Sequence, residues 1–143
     1  MKMENKTNCR IISDGGEEYA IIIDGNDMPD GLAFYTGNDK FVQVASWKYQ
    51  KGHCTKPHSH RICERTSSIT QEFVLVKKGS VEVTLYNESE KEIAKEKLKR
   101  GECILIYKGG HEYRILEDST EVFEVKNGPY PGIEKDKKVI GNV

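Results

Sequence analysis

The sequence has no long hydrophobic run and no excess of charge of either sign. Its longest apolar runs, Tyr19–Ile23 and Cys103–Tyr107, are five residues each, whereas a membrane-spanning helix needs roughly 20. Lysine and arginine number 22 against 23 aspartates and glutamates, a net charge of −1. Proteins that bind nucleic acid by neutralising phosphates usually carry a basic surplus. The composition therefore argues against both a membrane and a nucleic acid as partners.

The apolar segment of a signal peptide is also missing. Lys2 and Lys6 stand where such a peptide has its basic region, but polar Asn8, Arg10 and Asp14 leave no apolar stretch behind them. We therefore expect a cytoplasmic protein. The four cysteines form no CxxC pair, and a reducing compartment would keep them as thiols. They are Cys9, Cys54, Cys63 and Cys103.

The 143 residues predict one domain with a core over about 18–130, and loosely ordered first ten residues and tail after Gly132. Turn residues recur between short runs rich in β-branched and aromatic side chains, which is typical of an all-β sandwich or barrel. The segment Glu90–Arg100 has helical propensity, but its neighbours favour a strand there. The other predicted strands are Tyr19–Ile23, Leu32–Thr36, Phe41–Tyr49, Thr70–Lys77, Val81–Tyr86, Cys103–Tyr107, His111–Leu116 and Thr120–Lys126.

Three of the four histidines and one glutamate form the main candidate site. In a strand, residues two apart point to the same face, so His58 and His60 can converge on one ion. Glu72 and His111, from neighbouring strands, can complete the ligand set. Three histidines and one glutamate around an octahedral ion leave two positions open, as in a catalytic metal site.

The spacing of these residues resembles the two motifs of the cupin family. Gly52-x5-His58-x-His60, followed by Glu72-x6-Gly79, is similar to the first motif. The second motif is similar to the arrangement of Gly101 followed by Gly109-Gly110-His111. Eleven residues separate His60 from Glu72 where the family commonly has three or four, and Tyr107 stands where proline is usual. Further runs within residues 18–138 resemble small stand-alone bacterial and archaeal cupins.

This resemblance implies a double-stranded β-helix, the cupin jelly-roll barrel, with one divalent transition metal. The ion would be Fe, Mn, Ni, Co or Zn, because imidazole and carboxylate ligands accept all of them. Two other interpretations of the site stay open. Cys54, His58, His60 and Cys63 lie within ten residues and could form a local zinc site. The histidines and Glu72 could also be ordinary residues that fit a loose pattern.

Five further residues are candidates for the lining of the cavity. Tyr113 shares a strand face with His111 and could act as an acid or base, or simply pack its ring in the barrel. Glu124 and Lys126 share one face of the last strand; pointing inward they would lie near a substrate, and pointing outward they would form a surface pair. Tyr35 and Gln43 lie on strands that could line the cavity. We take Tyr113 and Glu124 as catalytic candidates and the other three as substrate-binding candidates.

These observations predict a metal-dependent enzyme that acts on a small polar molecule, such as a sugar or a hydroxy- or oxo-acid. The reaction would be an isomerisation or epimerisation, or an oxygenation if the metal is iron. The alternative is a cupin that binds or senses a small molecule without catalysis. The loop Arg61–Ile69 could be a lid or a solvated connection. Exposed sheet edges and the prevalence of symmetric dimers predict a homodimer.

Overall fold

The computed structural model describes residues 7–141. Strands make up 45% of the structure and helix 3%, which confirms the predicted all-β class. The described residues form ten strands and one short helix. These are β1 (Cys9–Asp14), β2 (Glu17–Asp24), β3 (Gly31–Phe34), β4 (Ala45–Lys48), β5 (Glu72–Lys78), β6 (Ser80–Tyr86), β7 (Glu92–Lys99), β8 (Glu102–Ile106), β9 (Gly110–Ile115), β10 (Glu121–Lys126) and α1 (Ile133–Asp136).

The strands form three antiparallel sheets. The largest has the order β1-β2-β8-β5-β10, the second contains β7-β6-β9, and β3 and β4 form a separate hairpin. The sheets do not close into a hydrogen-bonded barrel, because β1 and β10 remain edge strands of the five-stranded sheet among the described residues. The arrangement is consistent with a β-sandwich, and the jelly-roll connection of these sheets remains a prediction.

The segment with helical propensity is a strand, as its neighbours predict. β7 pairs with β6 along its length, with Val83 opposite Glu96 and Val81 opposite Leu98. The side chain of Leu98 is fully buried. Burial of Leu98 and pairing with β6 thus outweigh the intrinsic helical preference of the lysines and glutamates.

Two apolar cores lie on opposite faces of the five-stranded sheet. The inner core fills the space between this sheet and the three-stranded sheet; it includes Ile22, Val76, Val83, Leu85 and Ile104. The outer core lies between the other face of the large sheet and the β3–β4 hairpin. Its members are Ile21, Ile23, Ala33, Tyr35, Cys103, Leu105 and Tyr107. Alternate residues of β2 and β8 therefore belong to different cores, as the two-residue period of a strand requires, and these strands are apolar on both faces.

Structure is present at both ends of the described chain. Cys9 and Arg10, which we expected to be loosely ordered, are the first residues of β1 because they pair with Ile23 and Ile22 of β2. Beyond Gly132, α1 is held to β10 by an ion pair between Lys126 and Asp136. The expected disorder of residues 1–6 falls outside the described residues.

Residues 49–71 connect β4 to β5 without regular secondary structure, and residues 49–70 are all exposed. The side chain of Ile62 makes so few contacts that it is fully accessible. A connection of this length without secondary structure is uncommon and is often functional. No helix among residues 7–141 is long and apolar enough to pass through a membrane.

Candidate functional site

Glu72, His111 and Tyr113 meet at one end of the inner core. Glu72 opens β5, whereas His111 and Tyr113 lie two residues apart on β9 and therefore share a face. His111 Nε2 lies 3.3 Å from Glu72 Oε1, and the Tyr113 hydroxyl donates a hydrogen bond of 3.0 Å to the same oxygen. The cluster thus bridges the two sheets of the sandwich.

Glu72 is ionised in this environment despite its burial. Burial opposes the charged form, but the hydrogen bond and charge of His111, the hydroxyl of Tyr113 and the charge of Lys126 outweigh it and lower the pKa of Glu72. An ionised carboxylate and an imidazole are both suitable ligands for a divalent transition metal.

Tyr113 is held in its protonated form. Burial, the charge and hydrogen bond of Glu72, and the charge of Glu124 raise the pKa of Tyr113 far above the usual value for a phenol. The ring also packs against the inner core. The group is therefore a hydrogen-bond donor at neutral pH.

One polar atom of the cluster has no partner. His111 Nδ1 is buried, and no described residue gives it a hydrogen bond. A buried polar atom without a partner costs on the order of 1–3 kcal/mol, and such atoms are rare in native proteins. Packing for stability alone does not account for this atom.

Glu124 and Lys126 lie on β10, the strand that pairs with β5. Lys126 pairs in register with Glu72, and Glu124 pairs with Val74, whose side chain belongs to the inner core. Both therefore lie on the inner face of the sheet, but Glu124 is exposed at its edge. Lys126 Nζ lies 3.3 Å from both Glu124 Oε1 and Asp136 Oδ2. The ammonium group thus connects Glu124 of β10 to Asp136 of α1.

His58 and His60 lie in the exposed segment 49–70 and do not contact Glu72 or His111. His58 Nδ1 is 2.8 Å from the carbonyl oxygen of Lys56, and the two imidazole rings meet edge to face with their centres 5.5 Å apart. Among residues 7–141, no three histidine, cysteine or acidic side chains are arranged to hold a metal ion. That observation applies equally to Cys54 and Cys63.

Tyr35 and Gln43 lie elsewhere. Tyr35 is buried in the outer core, where its hydroxyl lies 2.9 Å from Ser46 Oγ and accepts a hydrogen bond from Asn8. Gln43 is exposed; its amide donates to the carbonyl oxygens of Gly37 and Lys40, and its side-chain oxygen accepts from Thr36. In this structure both side chains hold the segment around residues 35–44 and neither is part of the cluster.

A polar cleft that no sequence motif indicates lies beside Lys126. It has a volume of about 340 Å³ and is lined by residues 67–70, 126–131 and 135–136. Asn127 forms one wall. Its side-chain oxygen accepts a hydrogen bond from the backbone N–H of Gln71, and its side-chain nitrogen donates one to the backbone carbonyl oxygen of Ile69. The Asn-Gly-Pro run at 127–129 is typical of a turn, but its contacts with Ile69 and Gln71, at the end of the connection to β5, are not evident from the sequence.

Comparison with protein-family models, curated proteins and solved structures found no match to this chain. The case for a function therefore depends on the contacts of Glu72, His111 and Tyr113, together with the motif resemblance.

Proposed function

We propose that this protein is a cupin that binds one divalent transition metal and acts on a small polar molecule. The observation that carries the proposal is the convergence of His111 and Tyr113 on one oxygen of Glu72. An ionised carboxylate, an imidazole nitrogen and a phenolic donor on the inner face of a small sandwich are typical of a binding or catalytic site.

The same proposal assigns His58 and His60 as the remaining ligands. β9 is an edge strand of the three-stranded sheet among the described residues, so one side of it can accept another strand. Residues 57–62 alternate in the way a strand requires, with His58 and His60 on one side of the backbone. If this stretch pairs with β9, both imidazoles can point to the face that carries His111.

The donor set fits Fe, Mn, Ni, Co or Zn. A bound ion would supply Lewis-acid polarisation of substrate oxygens. The chain's own residues would do the rest: Tyr113 donates a hydrogen bond or a proton, and exposed Glu124 accepts a proton at the edge of the inner face. Lys126 and the cleft beside it bind and orient the polar parts of the substrate. These roles suit an isomerase or epimerase, and with iron an oxygenase.

A small-molecule-binding protein without catalysis is the second candidate. The cleft beside Lys126 favours it, because hydroxyl, amide and ammonium groups line it and can bind a polar ligand without a reactive centre. Both candidates belong in the cytoplasm. Cys54 and Cys63 are exposed free thiols, which persist in a reducing compartment.

Metal titration of the chelator-treated protein tests the ligand assignment. We expect one ion per chain by calorimetry, with binding abolished by His111→Ala and Glu72→Ala and at least tenfold weaker in His58→Ala and His60→Ala. His53→Ala is the matched control, because His53 is an exposed histidine of the same segment that stacks on Tyr49 instead. Absence of any binding contradicts the proposal.

Binding that survives His111→Ala but is lost in Cys54→Ser and Cys63→Ser would instead establish the local zinc site. Once the metal is known, the loaded protein is screened for isomerisation of sugars and hydroxy-acids and for oxygen uptake, with His58→Ala as the blank. Turnover that the blank lacks supports the enzyme. Saturable ligand binding without turnover supports the second candidate.

A further inference from the structure

The β3–β4 hairpin has two apolar faces, and only one of them is covered. Ala33 and Ser46 pair with each other and are buried against the outer core. Leu32 pairs with Trp47, so both lie on the opposite face, together with Phe34. Leu32, Phe34 and Trp47 are 49%, 47% and 67% exposed. A hairpin that faces solvent on one side normally carries polar residues there.

A second uncovered apolar strip lies beside the hairpin on the same side of the five-stranded sheet. Phe123 and Val125 of β10 pair with Leu75 and Phe73, whose side chains pack against the outer core. Partners in register point to the same face, so Phe123 and Val125 face the hairpin side. They are 60% and 55% exposed. The hairpin thus covers the outer faces of β2 and β8 but not that of β10. The outer surface is therefore higher at the hairpin than at β10, and we call this difference in height the step.

The exposed area of these five side chains is close to what a stable interface needs. An aromatic side chain can bury roughly 150–250 Å², so Phe34, Trp47 and Phe123 at their observed exposures contribute on the order of 350 Å², and Leu32 and Val125 add to this area. A standard interface buries roughly 800 Å² on each partner, somewhat more than half of it apolar. A patch of this size on a soluble domain usually marks an interaction site.

The described segments outside the sheets leave this surface uncovered. Segment 49–70 is polar, and all of its residues are exposed. The C-terminal segment carries Tyr130, Ile133 and Val139, which are themselves 60%, 64% and 77% exposed. None of these side chains therefore forms a packed layer over the hairpin and β10.

A second copy of the chain fits the step. We propose that two copies associate about a twofold axis, with Leu32, Phe34 and Trp47 of each placed over Phe123 and Val125 of the other. A twofold axis makes every contact occur twice. The hairpin of each copy would therefore cover the exposed outer face of β10 in the other copy. The net charge of −1 creates little repulsion between copies, and the Asp30–Lys48 ion pair at the end of the hairpin provides charges of both signs at the rim.

Trp47 is the sole tryptophan of the chain and reports directly on this interface. On concentration of the wild-type protein, we expect its emission to shift to the blue and its quenching by acrylamide to fall, in parallel with dimer formation by analytical ultracentrifugation. A monomer at all concentrations overturns the proposal, as does a dimer in which Trp47 stays fully quenchable.

Variants test whether the two patches face each other. Phe123→Glu changes a residue on a different strand from Trp47, yet it should raise the dimer dissociation constant by about tenfold or more and remove the concentration-dependent emission shift. Phe34→Glu should do the same. Val139→Glu, at a 77% exposed position outside both patches, is the control and should leave both measurements unchanged. An unchanged dimer dissociation constant in Phe123→Glu contradicts the proposed arrangement. If a variant fails to fold, the concentration dependence of dimer formation and of Trp47 emission in the wild type still tests the proposal.

Discussion

The Tyr113 hydroxyl donates a hydrogen bond of 3.0 Å to Glu72 Oε1. Tyr113 belongs to β9 of the three-stranded sheet and Glu72 to β5 of the five-stranded sheet, so this bond joins the two layers across the inner core. Since the carboxylate is buried and ionised, the bond has charge-assisted strength. It therefore contributes to stability and also fixes the direction in which the carboxylate points.

Removal of that hydroxyl should destabilise the protein. Tyr113→Phe keeps the ring in the inner core but leaves Glu72 with one donor fewer, and hydrogen bonds to charged groups contribute roughly 1.5–3 kcal/mol. We expect the free energy of unfolding, measured by urea denaturation of the metal-free protein, to fall by about that amount. Tyr86→Phe is the matched control, because Tyr86 donates to Glu112 at 3.4 Å on the exposed side of the same sheet. Equal losses in the two variants would contradict the contact across the core.

Glu72 should also make stability depend on pH. Because its native pKa lies below the value of 4.5 for the free group, the ionised form stabilises the native state. This stabilisation is present above pH 4.5 and disappears as the pH falls through the lower native pKa. Urea denaturation with a chelator should therefore show the wild type losing stability relative to Glu72→Gln on acidification.

Glu134→Gln provides the comparison for that experiment, since Glu134 is an exposed glutamate of α1. The stability difference between the wild type and Glu72→Gln should change with pH more than the difference between the wild type and Glu134→Gln. A difference for Glu72→Gln that does not change with pH would show that the carboxylate is not stabilised by His111, Tyr113 and Lys126.

The strands were predictable because local signals and packing agree. Turn residues separate the runs, and in β6 and β8 apolar side chains supply both the pattern and the core. β1 was missed because its pattern is weak: only Ile11 and Ile12 are aliphatic, and pairing with β2 across the Gly15-Gly16 turn forms the strand. The two-residue period of a strand also predicts that Tyr113 lies beside His111, and the centres of these two rings are 5.1 Å apart.

The position of His58 and His60 could not be predicted in the same way. Segment 49–70 has almost no apolar side chains to bury, so the hydrophobic pattern does not define where it lies. Motif spacing predicts His58 and His60 as metal ligands, but it carries no information on where the backbone of segment 49–70 lies. Likewise, the exposed face of the hairpin was not foreseen, because Leu32, Phe34 and Trp47 look like core residues in sequence.

The cysteines should differ sharply in reactivity. Cys54 and Cys63 are exposed, whereas Cys103 is buried in the outer core, where burial and the nearby charges of Glu102 and Asp24 raise its pKa to about 12. The thiolate is the reactive form. We expect Ellman's reagent to modify Cys54 and Cys63 rapidly in the native protein and Cys103 only after unfolding, with peptide mass spectrometry to assign the sites. Raising the pH to 9 should still leave Cys103 unmodified in the native protein, because its pKa lies near 12; native modification of Cys103 would contradict its burial.

Gly79 connects β5 to β6 and should be the least replaceable turn glycine of the first motif. Its φ of 77° lies in the left-handed region, and a Cβ there would collide with Thr120. Gly16, in the β1–β2 turn, has a φ of 81° but open space around it. Gly16→Ala should therefore cost only the backbone strain, about 1 kcal/mol. Gly79→Ala should cost about 2–4 kcal/mol, because Thr120 must also move. Urea denaturation of both variants separates the backbone strain from the collision with Thr120. Equal losses of unfolding free energy in the two variants would show that Thr120 and the β5–β6 turn move aside without cost.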